Sequence, residues 1–337
     1  MKLTFRKTEL RLAHTFTISR SSKDTEPCAI VELSHDGTIG YGEAAPSERY
    51  GETIETVGQF LGSLDLSPFR DPFALDDILA YVGSAAPHNT SAKAAVDIAL
   101  HDWIGRRLGI PLWKLWGYNR DRALRTSFTI GIDSPEVVER KVREAAPYPI
   151  LKVKVGVPGD DKIIRRIREL TDKVLRVDAN EGWTSREQAR DKILWLEEQK
   201  IEFVEQPMPA GDLDGTAWVR EQVHVPVIAD ENVVRLHDIP RLRGAFDGIN
   251  IKLMKCTGLR EAQRMIHAAK AMDMKVMLGC MIESSVAISA AAQLSPVADY
   301  ADLDGNVLIV NDPFEGVTLQ EGKLMLSDEP GLGVRPR

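Results

Sequence analysis

The chain has 337 residues, of which 43% are apolar and 28% are charged, and this composition is ordinary for a soluble globular protein. Its 50 acidic and 43 basic residues give a net charge of −7, which argues against binding to nucleic acids or to anionic membranes. The length exceeds that of one small domain and suits a barrel with a smaller partner unit.

The first part of the chain has the pattern of a mixed α+β unit. Residues 1 to about 60 alternate apolar and polar side chains, and the Asp36-Gly37 pair between two such runs indicates a β-hairpin. Residues 91–107 carry apolar side chains at helical spacing and are followed by the helix stop Leu108-Gly109-Ile110-Pro111. We therefore predict an α+β unit over residues 1–117.

From residue 118 the pattern changes to regular alternation of strands and helices. Residues 185–199 and 259–272, which lie between strands, have helical spacing and are predicted to be helices. The glycine fingerprint of an open dinucleotide-binding sheet does not occur. Eight strands at this period predict a closed parallel barrel over residues 118–306. The tail, 307–337, is rich in Gly and Pro and is expected to fold back on the first unit. The predicted strands are 127–132, 151–155, 174–177, 201–205, 226–229, 248–253, 275–278 and 300–304.

Charged residues recur in these strands, at the point where each strand would end. From the second lysine onward they are separated by steps of 24, 27, 25 and 22 residues, the length of a strand plus a helix. A barrel brings the carboxyl ends of its strands together, so this ladder predicts one site. Its members are Lys152, Lys154, Asp178, Glu205, Asp230 and Lys252.

The three carboxylates of the ladder predict a metal site. Asp178, Glu205 and Asp230 would come from three consecutive strands and offer hard oxygen ligands, which suit Mg²⁺. Zinc is less favoured because neither His nor Cys accompanies them. Each residue alone could instead be a helix N-cap or a turn residue, but three in register between lysines favour the metal.

The lysines indicate acid/base chemistry. Lys152 and Lys154 are two residues apart in a strand and share a face, and two ammonium groups held close lower the pKa of one of them. A lysine with a lowered pKa can serve as a general base. Lys252 would approach from the opposite side of the barrel, so that one lysine could remove a proton and the other return it. Lys255 is expected to be a loop charge.

In combination, the K-x-K, D, E, D and K residues resemble the enolase superfamily, in its muconate-lactonizing-enzyme subgroup. The resemblance covers nearly the whole chain. It implies a modified (β/α)8, TIM-like barrel, an N-terminal α+β capping domain over residues 1–117 that carries the specificity loops, and Mg²⁺ as cofactor.

The last predicted strand resembles one branch of that subgroup. Asp302 and Asp304, in Tyr-Ala-Asp-Leu-Asp-Gly, resemble the D-x-D signature of dipeptide epimerases, where two aspartates hold the α-ammonium of a dipeptide. Two carboxylates on one strand face would form an anionic slot for such a group. The alternative is a pair of solvated acids at a strand end.

Further substrate contacts follow from the same resemblance. The run Leu278–Glu283 resembles the seventh-strand segment of dipeptide epimerases, so Cys280, Met281 and Ile282 would line the pocket. Cys280 would be a pocket wall rather than a nucleophile, because no histidine stands at motif distance. Thr129 matches a substrate-contacting threonine more loosely.

Specificity is expected in two loops of the capping domain, 16–20 and 47–52. Arg20 matches a position where some dipeptide epimerases carry an arginine for the substrate's side-chain carboxylate, and its planar fork suits that task. Arg20 could instead be a surface charge, and for Arg49 in the second loop the surface interpretation is favoured.

The resemblance implies an isomerase that epimerises dipeptides by 1,1-proton transfer at the α-carbon of the C-terminal residue, through an enediolate. Lys154 and Lys252 would exchange protons, Lys152 would bind the substrate carboxylate, and L-Ala-D/L-Glu is the expected substrate. The alternatives are another member of the subgroup, namely o-succinylbenzoate synthase, N-acylamino acid racemase or a cycloisomerase. A barrel that binds a metabolite without catalysis is more remote.

The predicted partner is therefore a small dipeptide, with no nucleic acid and no membrane. Three cysteines without short spacing predict reduced thiols, and the N-terminus lacks the apolar core of a signal peptide. We expect a cytoplasmic protein. The sequence leaves open whether the protein forms a homo-oligomer.

Overall fold

An antiparallel sheet forms the N-terminal unit in this computed structural model, which describes residues 1–337. Its three strands are β1 (Lys2–Ile18), β2 (Ser21–His35) and β3 (Thr38–Ala44), in the order β1-β2-β3. The predicted hairpin is confirmed: Asp36 and Gly37 join β2 to β3 with φ of 44° and 74°, the left-handed conformation that a tight hairpin turn requires.

Helices α1 (Ile54–Ser63), α2 (Leu75–Ser84) and α3 (Thr90–Leu108) pack against this sheet, and the short α4 (Leu112–Leu115) follows. Their apolar faces bury a cluster that includes Val31, Phe60 and Trp103. Strand β3 lies so close to α3 that a Cβ at Gly42 would overlap the carbonyl of Ala95. The close approach fixes the sheet edge that carries the loop of residues 45–53 toward the barrel.

Eight parallel strands form the predicted barrel, and each is hydrogen-bonded to the next strand along the chain. A bridge between Thr126 and Ala301 brings the first and last strands together. Each predicted strand is present, with ends that differ by at most two residues. The strands are β4 (Phe128–Ile130), β5 (Ile150–Lys154), β6 (Val174–Asp178), β7 (Ile201–Glu205), β8 (Val227–Ala229), β9 (Gly248–Lys252), β10 (Lys275–Gly279) and β11 (Tyr300–Asp302).

Helices cover the outside of the barrel, and a large apolar cluster fills the space between them and the strands. The two helices predicted at 185–199 and 259–272 are present as Arg186–Glu198 and Leu259–Ala271. None of the helices combines the length and apolar character needed to cross a bilayer. They are α5 (Pro135–Glu144), α6 (Asp160–Leu170), α7 (Arg186–Glu198), α8 (Leu213–Gln222), α9 (Ile239–Leu242), α10 (Leu253–Cys256), α11 (Leu259–Ala271) and α12 (Ser285–Ala292).

The tail contains four short strands, β12 (Phe314–Glu315), β13 (Thr318–Gln320), β14 (Lys323–Met325) and β15 (Arg335–Pro336). Ile309 bridges to Leu12 in β1, and Arg106 of α3 donates to the carbonyl of Val334 over 2.6 Å. The tail thus contacts the N-terminal unit. The exact boundaries at 117 and 306 stay predictions.

Alternation along the strands separates the barrel interior into layers. Phe203, Ile228 and Met277 form a buried apolar cluster. They stand two residues before Glu205, Asp230 and Gly279 respectively. The apolar cluster therefore lies beneath the carboxyl ends of the strands, where the charged ladder is found.

Candidate active site

Three buried carboxylates meet at the carboxyl ends of β6, β7 and β8. Oxygens of Asp178, Glu205 and Asp230 lie within 4.8 Å of one another, and each residue is at most 1% exposed. Despite the cost of burial, Lys154 and Lys152 lower the pKa of Asp178 to about 2, and Lys252 and Lys255 hold that of Asp230 well below its usual value. Burial and the neighbouring Asp178 raise the pKa of Glu205 to about 7.

Lysines flank the carboxylates on two sides, as the sequence predicts. The Nζ of Lys154, at the end of β5, donates to Asp178 over 2.7 Å, and the Nζ of Lys252, at the end of β9, donates to Asp230 over 2.9 Å. Strands β5 and β9 are four positions apart in an eight-stranded barrel, so these lysines approach from opposite sides. The geometry thus allows two bases on two faces of one bound molecule.

Lys152 is a third buried cation, surrounded by carboxylates. Its Nζ lies 3.1 Å from Asp178, 2.7 Å from Glu205 and 2.7 Å from Asp302. Burial opposes its charge, but the three carboxylates outweigh this and raise the pKa of Lys152 well above its ordinary value. Lys152 is therefore a fixed positive charge, and its closeness to another lysine does not lower its pKa.

Two residues that hold the carboxylates escaped the sequence interpretation. Lys255 is 1% exposed and donates from Nζ to Asp230 Oδ1 over 2.5 Å and to the carbonyls of Asp230 and Asn250, so its prediction as a loop charge is wrong. Asn250 donates to Glu205 over 2.7 Å. Its side chain occupies the space that a Cβ at Gly279 would need. Asn250 stands two residues before Lys252 in the same strand, so strand alternation places both side chains on the same face and could have identified Asn250.

Replacing Lys255 by methionine should lower the free energy of unfolding by about 3 kcal/mol or more, because it removes the buried cation that donates to Asp230 Oδ1 and to two carbonyl oxygens. Urea denaturation measures the change. Lys270→Met, at an exposed position of α11, is the matched control and should shift stability by less than about 0.5 kcal/mol. Equal stabilities for the two variants would contradict the anchoring role of Lys255.

Asp302 and Asp304 lie together at the end of β11. Asp302 accepts from Ser127 Oγ over 2.6 Å and from Lys152 Nζ, while Asp304 Oδ2 accepts the backbone N–H of Thr129 over 2.7 Å. The prediction that both stand on one strand face is wrong in detail, since β11 ends at Asp302 and Asp304 begins the following turn. Burial and the charge of Asp302 raise the pKa of Asp304 to about 7.

The lysines Lys152, Lys154 and Lys252 and the acids Asp302 and Asp304 border a single cavity of about 410 Å³ between the barrel mouth and the N-terminal unit. The thiol of Cys280 donates to the carbonyl of Asp302 over 3.3 Å, and burial raises its pKa well above the usual value, so it forms a wall and not a nucleophile. The sequence-predicted residues that line the cavity are Arg20, Thr129, Lys152, Lys154, Lys252, Cys280, Met281, Ile282, Asp302 and Asp304.

The two loops of the N-terminal unit reach this cavity through arginines. Arg20 Nη2 lies 2.8 Å from Glu231 and Nη1 lies 3.6 Å from Glu181. Arg49 donates to both oxygens of Glu181 over 3.0 and 2.9 Å and keeps 38% of its side chain exposed. Glu181 and Glu231 follow metal-site carboxylates in sequence and were missed. Both arginines are therefore already paired with acids of the barrel.

The donor set at the barrel mouth fits a magnesium ion. It consists of carboxylate oxygens without any histidine or cysteine, which is the ligand chemistry of a hard cation. Glu205 Oε2 lies 2.7 Å from Lys152 Nζ but receives no well-directed hydrogen bond, which leaves this buried oxygen free for another partner. The residues that would hold the ion are Asp178, Glu205 and Asp230.

The family of the chain follows from sequence profiles. The profile of the mandelate racemase / muconate lactonizing enzyme N-terminal domain matches residues 1–117, and the enolase C-terminal domain-like profile matches residues 136–337. The chain therefore belongs to the enolase superfamily, in the mandelate racemase and muconate lactonizing enzyme family, and the predicted barrel fold is confirmed.

Individual relatives identify the branch of the family that the chain resembles. The chain is 53% identical to the L-Ala-D/L-Glu epimerase of Bacteroides thetaiotaomicron, over 99% of this chain and 88% of the relative. It superposes on a substrate complex of the Bacillus subtilis L-Ala-D/L-Glu epimerase with a TM-score of 0.93 and 29% identity, covering 99% and 98% of the two chains. A dipeptide epimerase of Enterococcus faecalis, in complex with Mg and L-Leu-L-Tyr, gives a TM-score of 0.90 at 34% identity, covering 98% of each chain. The predicted resemblance to dipeptide epimerases is confirmed, and the chain is an isomerase.

Proposed function

We propose that the chain is a Mg²⁺-dependent dipeptide epimerase that inverts the α-carbon of the C-terminal residue, with L-Ala-D/L-Glu as its substrate. The observation that carries the proposal is one cavity bordered by lysines from opposite sides of the barrel, Lys154 and Lys252, and by the acidic pair Asp302 and Asp304. A protein that only binds its ligand would not need a basic group on each face of that ligand. A substrate with both a carboxylate and an ammonium group matches a cavity that is lined by both lysines and aspartates.

In this mechanism one lysine removes the proton of the α-carbon and the other supplies a new proton. Whichever of Lys154 and Lys252 faces the α-hydrogen removes it as a neutral amine, and the other delivers a proton to the opposite face as an ammonium group. Loss of the proton turns the substrate carboxylate into an enediolate. Lys152 would place a permanent positive charge beside it.

The remaining groups bind and orient the substrate. A magnesium ion held by Asp178, Glu205 and Asp230 would supply positive charge next to the substrate carboxylate. Asp302 and Asp304 would accept hydrogen bonds from the N-terminal ammonium, which offers a positive charge that a neutral amide lacks. Both ends of the dipeptide are then fixed, and its α-carbon is held between the lysines.

Arg20 supports an acidic second residue. Its guanidinium borders the cavity and keeps 34% of its side chain exposed, so it can meet a substrate carboxylate from the N-terminal loop. Glu231 shares this arginine, and a substrate carboxylate would therefore compete with an existing ion pair. The name of the Bacteroides relative supports the same assignment.

Mass spectrometry of L,L-dipeptide mixtures incubated with the protein in D₂O and MgCl₂ tests the proposal. We expect one deuterium at the α-carbon of the C-terminal residue, greatest for L-Ala-L-Glu, and loss of label uptake when EDTA removes the metal. Uptake by N-acylamino acids but by no dipeptide would favour the racemase alternative. No uptake by any acid would favour a barrel that only binds its ligand.

A further inference from the structure

Glu231 is a buried acid at the site with no role in the proposed reaction. It directly follows Asp230, and its side chain is 0% exposed. Oε1 lies 2.8 Å from Arg20 Nη2 and receives a weaker hydrogen bond of 3.4 Å from Asn180 Nδ2. Oε2 is fully buried and has no hydrogen-bond partner. Burying a carboxylate oxygen without a hydrogen bond costs free energy, which indicates that a donor binds there.

Asn180 also has a buried oxygen without a hydrogen-bond partner. It stands two residues after Asp178, is 5% exposed, and donates its backbone N–H to Asp178 Oδ1 over 2.9 Å. Its φ of 43° is a left-handed conformation that asparagine tolerates better than most residues. Its side-chain Oδ1 is buried and without a partner. Asn180 and Glu231 thus contact each other, and each leaves one buried acceptor oxygen without a hydrogen bond.

The chemistry of the cation accounts for both oxygens. Magnesium keeps several water molecules when a protein binds it through few carboxylates, and those polarised waters are strong hydrogen-bond donors. Acceptors beyond the direct ligands orient such waters and strengthen metal binding. A donor from the substrate would be the alternative partner, but then metal affinity without substrate would not depend on these residues.

We infer that Glu231 and Asn180 are positioning residues that accept hydrogen bonds from waters of the bound Mg²⁺, and that Glu231 thereby links the cation to Arg20. This inference rests on the cation of the proposed function and on no particular substrate. Ser19 Oγ and Arg20 Nη1 both donate to the backbone carbonyl of Asn180, over 3.1 and 3.2 Å. The specificity loop is therefore docked on the same turn that would support the cation.

Isothermal titration of the substrate-free full chain with MgCl₂ tests the inference without any measurement of turnover. Glu231→Gln should weaken magnesium binding by roughly 10- to 100-fold, the range typical of residues that support metal ligands. Asn180→Gly keeps the left-handed backbone but deletes the acceptor, and it should weaken binding in the same direction. Arg20→Gln should not weaken binding, because it removes a positive neighbour from Glu231.

Glu181→Gln is the matched control. Glu181 contacts the same two arginines, but both of its oxygens already have partners, Arg49 and the N–H of Ala210. Its variant should bind magnesium within about threefold of the wild type. Near-wild-type affinity in both Glu231→Gln and Asn180→Gly, with native circular dichroism, would overturn the inference, as would an equal loss in Glu181→Gln. If the wild-type chain binds no magnesium, the cation of the proposed function fails and this inference fails with it.

Discussion

Replacing Lys154 by methionine is expected to reduce epimerisation by roughly 10²- to 10⁴-fold, the range typical of a lost general acid/base group. The same loss is expected for Lys252→Met. The two lysines donate to Asp178 and Asp230 from strands on opposite sides of the barrel, so neither can substitute for the other. A single proton-transfer group cannot invert a carbon, because it returns the proton to the face from which it came.

The two variants should nevertheless differ in a way that reports their positions. With one lysine left, the epimer that faces it can still lose its α-proton and regain a deuteron on the same side. Lys154→Met and Lys252→Met should therefore each retain exchange with one epimer, and with opposite ones. Proton NMR in D₂O measures this as loss of the α-hydrogen signal from each pure epimer.

The control for these variants is Lys275→Met, at the other end of a barrel strand, where the side chain is 54% exposed. It should epimerise like the wild type. Exchange of the same epimer by both active-site variants would contradict a two-sided mechanism. Exchange that persists in the double variant would exclude the lysines as the bases altogether.

The strand–helix alternation and the spacing of the ladder predict the barrel and the six charged residues of the ladder, whereas the other site residues follow from the family resemblance. Strand ends such as Asp178 and Glu205 are marked by short β-branched runs, and the barrel topology itself brings consecutive strand ends together. The position of a charge on a strand is thus a local property that the sequence displays. The same property made Lys154 and Lys252 recognisable as a pair from opposite sides.

The partners of these charges were not predictable in the same way. Lys255 stands three residues after Lys252, and only the short helix α10 turns it back toward Asp230. Arg20 meets Glu231 because the N-terminal unit docks on the barrel, a long-range contact without a periodic signal. Asp304 lies in a turn, where strand alternation no longer applies. Turn geometry and domain docking, which no local spacing encodes, decided these contacts.

Replacing Asp304 by asparagine should raise the KM for L-Ala-L-Glu by roughly 10- to 100-fold, since a hydrogen bond to a charged group contributes about 1.5–3 kcal/mol. Asparagine keeps the oxygen that accepts the Thr129 N–H, so the turn should be preserved. Asp302 is a poorer choice for this test because it also pairs with Lys152. The N-acetylated dipeptide lacks the ammonium, and its weaker turnover should change little in the variant.

The same carboxyl predicts a pH dependence of substrate binding. Burial and Asp302 raise the pKa of Asp304 to about 7, so below that pH the group is mainly protonated and cannot neutralise an ammonium. The KM of the wild type should therefore fall by about fivefold from pH 6 to pH 7, as a single ionisation near 7 requires. Above about pH 8 the dipeptide amine itself loses its proton and the benefit ends.

Comparison with variants assigns this dependence to Asp304. Asp304→Asn should show a flatter KM profile between pH 6 and pH 7, whereas Asp299→Asn, just before β11, should keep the profile of the wild type. Ionisation of the lysines also affects turnover, but it is common to all three proteins and cancels in the comparison. A wild-type profile in Asp304→Asn would place the ammonium elsewhere. It would also remove the role of the Asp302–Asp304 pair as the reason to prefer a dipeptide over an N-acylamino acid.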